Sequence, residues 1–424
     1  MQIMRKMKDS GIEWIGEIPE GWEVGQIGQL YSERRTKVSD KDYPPLSVTM
    51  KGILPQLSTA AKTDAHDDRK LVCKGDFAIN SRSDRRGSCG ISEQDGSISL
   101  INIVLQPRGE MNPGYYNWLF HTSMFADEFY KWGHGIVDDL WTTGWSDMKK
   151  IGVPVPSKCE QKQLAEHLNF ECSNIDTILS KTRSSIEEYK KLKQAVITQA
   201  VTKGVRGERK MKDSGVECIG KIPTTYSICK LKYLLKNPLK YGANESGIPY
   251  SDSLPRYIRI TDITPDGNLK YTGKLSLSEE SAKDYILEDG DILFARSGAT
   301  VGKTFIYYQS YGRSAYAGYL IKASLNNKVS PKFVYYYTCS SLYEIWKNSI
   351  FIQSTIQNIG ADRYANLPVP VPKTLQEQEE IADYLDAKCA EIDKLIAKKE
   401  QLVKELECYK KSLIYEVVTG KREV

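Results

Sequence analysis

The sequence has 424 residues, of which 40% are hydrophobic and 27% charged, and a net charge of +5. No apolar run approaches the roughly 20 residues that span a bilayer, and no apolar core follows the basic N-terminus, so we expect a cytoplasmic protein without a membrane span or secretion signal. Nine scattered cysteines without a CxxC pair, beside only four histidines, predict reduced thiols and no metal site.

The chain contains a long internal repeat. KMKDSGIEWIGEIP at 6–19 returns as KMKDSGVECIGKIP at 210–223, with eleven of fourteen positions identical. VPVP stands at 153–156 and again at 369–372, each time before a long charged stretch. The segments between these markers differ more than the markers do. A repeat of about 210 residues is too long for a solenoid unit and predicts duplication of a whole domain followed by a helix.

This organisation predicts a mixed α/β protein (α+β) with an internal pseudo-twofold repeat. The predicted segments are a first α/β domain at 1–155, a central long helix at 156–205, a second α/β domain at 206–372 and a C-terminal long helix at 373–424. Isologous pairing brings the same surface of each copy together. The two helices are therefore expected to lie antiparallel, as a coiled coil.

The densest basic stretch of the first α/β domain is SRSDRRGSCG, directly after a strand-like run at 76–79. Arginine can grip guanine with two hydrogen bonds or neutralise a phosphate, and sequence alone does not separate these uses. The candidates for DNA contact are Arg82, Arg85 and Arg86, with Arg34 and Arg35 as further candidates. The alternative interpretation is that these arginines are solvated turn residues.

Aromatic residues cluster at matched positions of the two halves. The clusters comprise Tyr115, Tyr116, Trp118 and Phe120 in the first half, and Phe333, Tyr335, Tyr336 and Tyr337 in the second. Because the positions match, we interpret both clusters as core rather than as platforms for base stacking.

Two long segments have the apolar spacing of a coiled coil. The run from 160 to 203 has no proline or glycine, its apolar residues recur at spacings of three and four, and the pattern returns 217 residues later. Lys193 and Lys410 interrupt both seams at the same place, and Gly204 and Gly420 are predicted to end the helices. The predicted interface residues are Leu168, Ile175, Leu179, Ile186, Leu385, Ile392, Ile396 and Val403.

The second α/β domain has a counterpart of the basic stretch in FARSGATVGKT. Its candidates for DNA contact are Arg296, Ser297 and Lys303, followed by Arg256, Arg259, Gln353 and Ser354. GATVGKT looks like a phosphate loop, but three residues separate its glycines where that loop needs four.

SGIEWIGEIPEGWEV at 10–24 and the PVP plus EQ pattern, found at 154–161 and again from 370, resemble the specificity subunits of type I restriction-modification systems. The resemblance covers essentially the whole chain. Its most specific feature is the order of a recognition domain, a helix, a second recognition domain and a second helix. One departure is Cys218, which stands where the first copy has Trp14.

The resemblance implies a DNA-binding, non-catalytic subunit. In that family each variable segment reads one half of a split double-stranded DNA site, and the antiparallel helices set the spacing and dock two methyltransferase subunits. Restriction (translocase) subunits complete the endonuclease complex. The resemblance implies no cofactor in this chain; S-adenosylmethionine, ATP and Mg²⁺ would belong to the partner subunits.

Two other functions remain open at this point. One is a self-sufficient DNA methyltransferase or nuclease, which lacks support because the sequence holds no complete cofactor or metal motif. The other is a structural coiled-coil protein without a DNA role, which would be favoured by a failure to bind duplex DNA at low salt.

Overall fold

The structure, a computed structural model, describes residues 5–56, 66–135, 141–264, 267–298, 300–352 and 358–424. The chain forms two compact units. The first unit comprises Met1–Arg183 and Gln401–Val424, and the second comprises Ser184–Glu400. Each unit therefore contains one half of the sequence repeat together with part of each long helix.

Short strands make up most of the first unit. Its strands are β1 (Met7–Asp9), β2 (Glu17–Pro19), β3 (Glu23–Gln26), β4 (Tyr31–Glu33), β5 (Lys37–Val38), β6 (Leu46–Thr49), β7 (Gly52–Pro55), β8 (Arg69–Val72), β9 (Phe77–Asn80), β10 (Cys89–Ile91), β11 (Gly96–Ile98), β12 (Asn102–Pro107) and β13 (Gly152–Val155). Its helices are α1 (Ile27–Leu30), α2 (Pro113–Phe120), α3 (Ser123–Lys131), α4 (Trp145–Met148) and the first part of α5 (Lys158–Lys203), with a 3-10 turn at Ser83–Arg85. Strands β10, β9, β12 and β4 form a four-stranded antiparallel sheet in that order, and β11, β8 and β5 form a smaller one.

The second unit repeats this plan with a larger second sheet. Its strands are β14 (Met211–Asp213), β15 (Lys221–Pro223), β16 (Tyr226–Lys230), β17 (Lys240–Tyr241), β18 (Ile248–Pro249), β19 (Arg256–Ile258), β20 (Leu275–Ser276), β21 (Ile292–Ala295), β22 (Thr304–Ile306), β23 (Ser314–Tyr316), β24 (Leu320–Ala323) and β25 (Pro368–Pro372). Its helices are α6 (Glu279–Ala282), α7 (Pro331–Thr338), α8 (Ser341–Ile352), α9 (Ala361–Ala365) and most of α10 (Leu375–Val418), with 3-10 turns at Leu231–Tyr233, Ile260–Asp262 and Gln309–Tyr311. The main sheet has the order β22, β21, β24, β17, the same as its counterpart in the first unit.

A buried aspartate precedes the central strand of each main sheet. Asp76 accepts a hydrogen bond from the backbone N–H of Cys73 at 2.9 Å, and Asp291 accepts one from that of Glu288 at 2.8 Å. The side chains of Asp76 and Asp291 are both about 3% exposed. The Gly-Asp dipeptides at 75–76 and 290–291 therefore form the same turn in both units.

The proline-rich segments form edge strands. β13 pairs only with β3, and β25 pairs only with β16, both antiparallel, among the strands that the structure describes. Proline cannot donate to a ladder and is tolerated in such two-stranded edges. Each segment leads directly into a long helix, as the sequence predicts.

The repeated N-terminal segment packs against both long helices within the first unit. Trp22 is buried, and its indole N–H donates to Glu160 Oε1 at the start of α5, 3.2 Å away. Gly420, at the end of α10, has φ +72°, and a Cβ there would come within 2.9 Å of the Trp22 ring. Trp22 therefore holds the beginning of one helix beside the end of the other.

Tyr226 occupies the matching position in the second unit. Its hydroxyl donates to Glu377 Oε1, near the start of α10, at 3.2 Å. Gly204, just after α5, has φ +76°, and a Cβ there would come within 2.8 Å of the Tyr226 hydroxyl. A tyrosine thus performs the packing role of the tryptophan that the second repeat lacks at this position.

The two long helices pack against each other in antiparallel fashion within each unit. In the first unit Leu168 and Ile175 of α5 share a hydrophobic core with Leu413 and Val417 near the end of α10. This contact confirms the predicted helix pair. In the second unit the end of α5 packs against the start of α10, through Ile197 and Val201 of α5 and Ile381 and Leu385 of α10.

Most of the predicted seam is buried. The buried members are Leu168, Ile175, Leu179, Ile186, Leu385 and Ile392, whereas Ile396 and Val403 are half-buried. The lysines that interrupt the seam reach carboxylates of the facing helix: Lys410 Nζ lies 2.6 Å from Asp176 Oδ1 in the first unit, and Lys193 Nζ lies 2.7 Å from Asp393 Oδ2 in the second. Polar seam positions of this kind specify register more than they add stability.

The aromatic clusters lie in the cores, as the sequence predicts. Tyr115, Tyr116 and Phe120 are buried in the first unit, and Phe333 and Tyr337 are buried in the second. Within the described residues, no helix combines the length and apolar character needed to cross a membrane.

Candidate nucleic-acid interface

The two basic stretches occupy the same place in the two units. The first basic loop, residues 81–88, connects β9 to β10, and the second basic loop, residues 296–303, connects β21 to β22. Ser81 and Arg296 open these loops with matching backbone bonds, because Ser81 N–H donates to Ile101 O at 3.3 Å and Arg296 N–H donates to Tyr319 O at 3.0 Å. The loops are therefore two versions of one structural element.

A second segment lies beside each basic loop. In the first unit the Thr143 N–H donates to Ser81 O at 3.0 Å, and in the second unit the Ile359 N–H donates to Arg296 O at 2.8 Å. Both segments lead into a short helix that begins after a glycine, which is Gly144 in one unit and Gly360 in the other. The frame around the loops is thus the same although the side chains differ.

The first basic loop presents its three candidate arginines in different ways. Arg82 is half-buried and lines an open groove together with Lys70, Thr142 and Trp145. Arg85 is exposed, with Asp84 as an ion-pair neighbour at 3.7 Å. Arg85 is therefore reached directly from solvent, whereas Arg82 is reached through the groove.

Arg86 is held by contacts from α3. Its Nη1 lies 3.0 Å from Asp127 Oδ1, and its guanidinium lies 5.4 Å from the centre of the Tyr130 ring. The Asp127 contact is exposed and hence weak. Arg86 can exchange it for a phosphate at little cost.

Lys70 belongs to the same groove and was not among the sequence candidates. Its Nζ donates to Asn102 O at 2.7 Å and lies 3.8 Å from Glu33 Oε1. Burial lowers the pKa of Lys70 below the ordinary value of a lysine, and Glu33 opposes that shift. Nothing in the local sequence marks this lysine, because strand pairing alone brings it to the groove.

The second basic loop contains two cations without an intramolecular anion. Within the described part of the chain neither Arg296 nor Lys303 forms an ion pair, and the Arg296 guanidinium lies over the Tyr241 ring, 4.9 Å from its centre. Ser297 forms an isolated antiparallel bridge with Asn358. The loop leads into strand β22 and not into a helix, so it lacks the helix N-terminus on which a phosphate loop depends.

Four of the secondary arginine candidates contact acceptors of their own unit. Arg34 makes two hydrogen bonds to Asp76, at 2.6 and 3.2 Å, which raise the pKa of the guanidinium. Arg35 forms an ion pair with Glu33, and Arg259 forms one with Asp262. Arg256 is buried and donates a hydrogen bond to Lys270 O. These contacts give Arg34, Arg256 and Arg259 a structural role whatever else they touch. Gln353 and Ser354 lie outside the described residues.

Strand register shows how the surroundings of the two basic loops differ. Leu105 of β12 lies opposite Glu33 of β4. The residue of β24 equivalent to Leu105 is Ala323, which directly follows Lys322, and Lys322 lies opposite Lys240 of β17. Continuing both ladders places Arg35 and Tyr241 at the same position. The first unit thus has an arginine two residues beyond the end of β4 and Ser81 at the loop entrance, whereas the second has a tyrosine at the end of β17 and Arg296 at the loop entrance.

Comparison with known proteins gives this fold its class. Residues 249–405 match the family described as "Type I restriction modification DNA specificity domain". The MjaVIII specificity subunit of a type I restriction enzyme from Methanocaldococcus jannaschii is 24% identical over 96% of this chain and 94% of its own length. The EcoKI specificity subunit from Escherichia coli is 21% identical over 86% of this chain and 82% of its own length.

Solved structures share the fold of the whole chain. One is described as "Structural basis underlying complex assembly and conformational transition of the type I R-M system", with a TM-score of 0.75, 13% identity and coverage of 96% of this chain and 99% of that one. The HsdS subunit from Thermoanaerobacter tengcongensis gives a TM-score of 0.53 at 14% identity, with coverage of 96% and 98%. At these identities the likeness establishes the fold alone.

Fold, repeat and family match together define a DNA-specificity protein. The chain is a specificity subunit of a type I restriction-modification system. It supplies recognition of the DNA target, so neither alternative function is favoured. The family resemblance drawn from the sequence is confirmed, whereas the individual DNA-contact residues stay predictions.

Proposed function

We propose that the two units each read one half of a bipartite double-stranded DNA target, with the first and second basic loops at the two reading surfaces. The observation that supports this proposal is that the two basic loops are held by equivalent backbone hydrogen bonds but present different side chains. A common frame presents each loop in the same way, and different donors at equivalent positions select different bases. Two dissimilar half-sites follow from this arrangement.

The long helices supply the second part of the proposal. α5 has 46 residues, and at about 1.5 Å per residue a helix of that length is roughly 69 Å long. Half-sites on one face of a duplex lie about 34 Å apart or at a multiple of that distance. We propose that the helix pair sets the spacing between the half-sites.

We further propose that two methyltransferase subunits and the restriction subunits assemble on this chain. S-adenosylmethionine, ATP and Mg²⁺ are assigned to those partners and not to this chain. The chemistry of modification and cleavage would then occur on DNA that this subunit has selected. A subunit with this task acts in the compartment that holds the DNA, which in a prokaryotic type I system is the cytoplasm.

Domain exchange tests the proposal. Residues 25–150 are replaced by the equivalent segment of a relative, the protein is expressed with its methyltransferase partner, and methylated positions are mapped across the genome. We expect one half-site to change while the other half-site stays as in the original. Methylation of the same sites by the partner alone would contradict the proposal, as would a simultaneous change of both half-sites.

A further inference from the structure

Arg296, unlike Arg34, Arg35 and Arg259, lacks any acceptor within the described residues. Arg34, Arg35 and Arg259 each contact a carboxylate of their own unit. Within the described residues no hydrogen bond or ion pair engages the Arg296 guanidinium, and its Nε is buried without a partner. A buried donor without a partner is costly and calls for an explanation.

The position of Arg296 is nevertheless tightly determined. Its backbone N–H donates to Tyr319 O at 3.0 Å and its carbonyl accepts from Ile359 N–H at 2.8 Å, so both sides of the residue are fixed. The guanidinium lies 4.9 Å from the centre of the Tyr241 ring. The ring is fixed in turn, because the Tyr241 hydroxyl accepts a hydrogen bond from Ala361 N–H at 3.0 Å.

A second unpartnered polar atom lies next to this arginine. Asn358 forms a backbone bridge with Ser297, the residue after Arg296, and its Oδ1 is buried without a hydrogen bond. The neighbouring Tyr319 side chain is 62% exposed. One junction therefore combines an unpartnered donor, an unpartnered acceptor and an exposed aromatic ring, in a unit whose other buried polar groups are mostly paired.

The arrangement suits a partner with two adjacent acceptors, such as the edge of a base. The two Nη groups of Arg296 are not among the buried atoms and have no intramolecular acceptor, so they are available to a ligand. The contact with the Tyr241 ring restrains the guanidinium, and a planar fork with two parallel donors matches the O6 and N7 acceptors of guanine in the major groove. A phosphate can accept the same two donors, and the experiment below separates a base contact from a phosphate contact by sequence preference and salt slope.

We propose that Arg296 reads a guanine in the half-site recognised by the second unit, with Tyr241 as the positioning residue. This inference rests on the proposed function. The first unit has Ser81 in place of Arg296 and Arg35 in place of Tyr241, so the same contact is not available there. The guanine preference therefore belongs to one half-site only, and the other half-site serves as an internal control.

The test uses the full chain in complex with its methyltransferase partner. Single-molecule sequencing of a methylated random-sequence DNA library defines both half-sites for the wild type and for Arg296→Lys, Arg296→Ala, Tyr241→Phe and Tyr241→Ala. Fluorescence anisotropy on the selected duplex, over a series of salt concentrations, gives the affinity and its salt slope. Lys303→Ala is the matched control, because Lys303 is the other unpaired cation of the same loop.

We expect Arg296→Lys to lower discrimination at one guanine about 5- to 150-fold, with the salt slope unchanged because the charge is kept. Tyr241→Phe retains the ring and the preference, whereas Tyr241→Ala loses part of the preference. Lys303→Ala weakens binding to all sequences alike and reduces the salt slope by about 1. Thermal unfolding of each variant separates loss of recognition from loss of folding.

Three results would overturn the inference: full discrimination by Arg296→Lys, a uniform loss of affinity in Arg296→Ala with unchanged preferences, or a half-site for the second unit that contains no guanine. The first two assign Arg296 to structure or to phosphate. Absence of any preferred sequence in the wild-type complex is a different outcome, because it refutes the proposed function itself.

Discussion

Replacing Arg34 by methionine tests whether this arginine stabilises the first unit or contacts DNA. The substitution removes both hydrogen bonds to Asp76 and leaves that carboxylate, about 3% exposed, with the backbone N–H of Cys73 as its remaining donor. Breaking a buried ion pair by deleting one partner costs roughly 3–5 kcal/mol. Because the Arg34 side chain is 21% exposed and water can enter, we expect a loss of about 3 kcal/mol.

Urea denaturation followed by tryptophan fluorescence measures this loss. The first unit contains Trp14, Trp22, Trp118, Trp132, Trp141 and Trp145, whereas the second contains Trp346, so the signal reports mainly on the first unit. With a urea dependence of about 1–3 kcal/mol per molar, the midpoint should fall by about 1 M or more. The variant Arg34→Met combined with Asp76→Asn should recover much of the stability, since no unpaired charge remains buried.

A matched substitution in the second unit has a milder expected effect. Lys322 Nζ lies 3.4 Å from Asp291 Oδ2, but Asp291 also accepts from the Ser324 hydroxyl at 2.5 Å and from Glu288 N–H at 2.8 Å. Lys322→Met should therefore cost less than Arg34→Met. The reasoning fails if Arg34→Met unfolds within about 0.5 kcal/mol of the wild type. Weaker DNA binding at unchanged stability would make Arg34 a contact residue.

Two further predictions concern the helices. Leu168→Ala, at a fully buried seam position, should destabilise the first unit by about 3 kcal/mol. Ile178→Ala, at a position 46% exposed on the same helix, should change the stability by no more than about 0.5 kcal/mol. Equal urea midpoints for the two variants would count against the antiparallel seam. Gly204→Ala and Gly215→Ala both place a side chain at positive φ, but only at Gly204 would the new Cβ contact Tyr226. Calorimetry should therefore show a lower Tm for Gly204→Ala than for Gly215→Ala. The reverse order would refute the packing role of Tyr226.

Local sequence patterns are enough to predict the architecture of this protein. The repeat of the N-terminal segment, the apolar spacing of the two long segments and the glycines after them depend on local chemistry, and each is visible in one stretch of chain. The structure has the helices at Lys158–Lys203 and Leu375–Val418, close to the predicted segments. The family was also recognised from these motifs, because they lie in the repeated segments of the chain.

Which basic residues have an intramolecular partner depends on how the strands pair in the folded chain. Arg34 and Arg296 look alike in sequence, each near a strand, yet Arg34 meets a carboxylate 42 positions away and Arg296 meets a tyrosine ring 55 positions away. Such partners are set by strand order and register. A linear pattern can identify a basic loop, but pairing across the sheet determines whether its charge is already neutralised, and that pairing is a property of the folded chain.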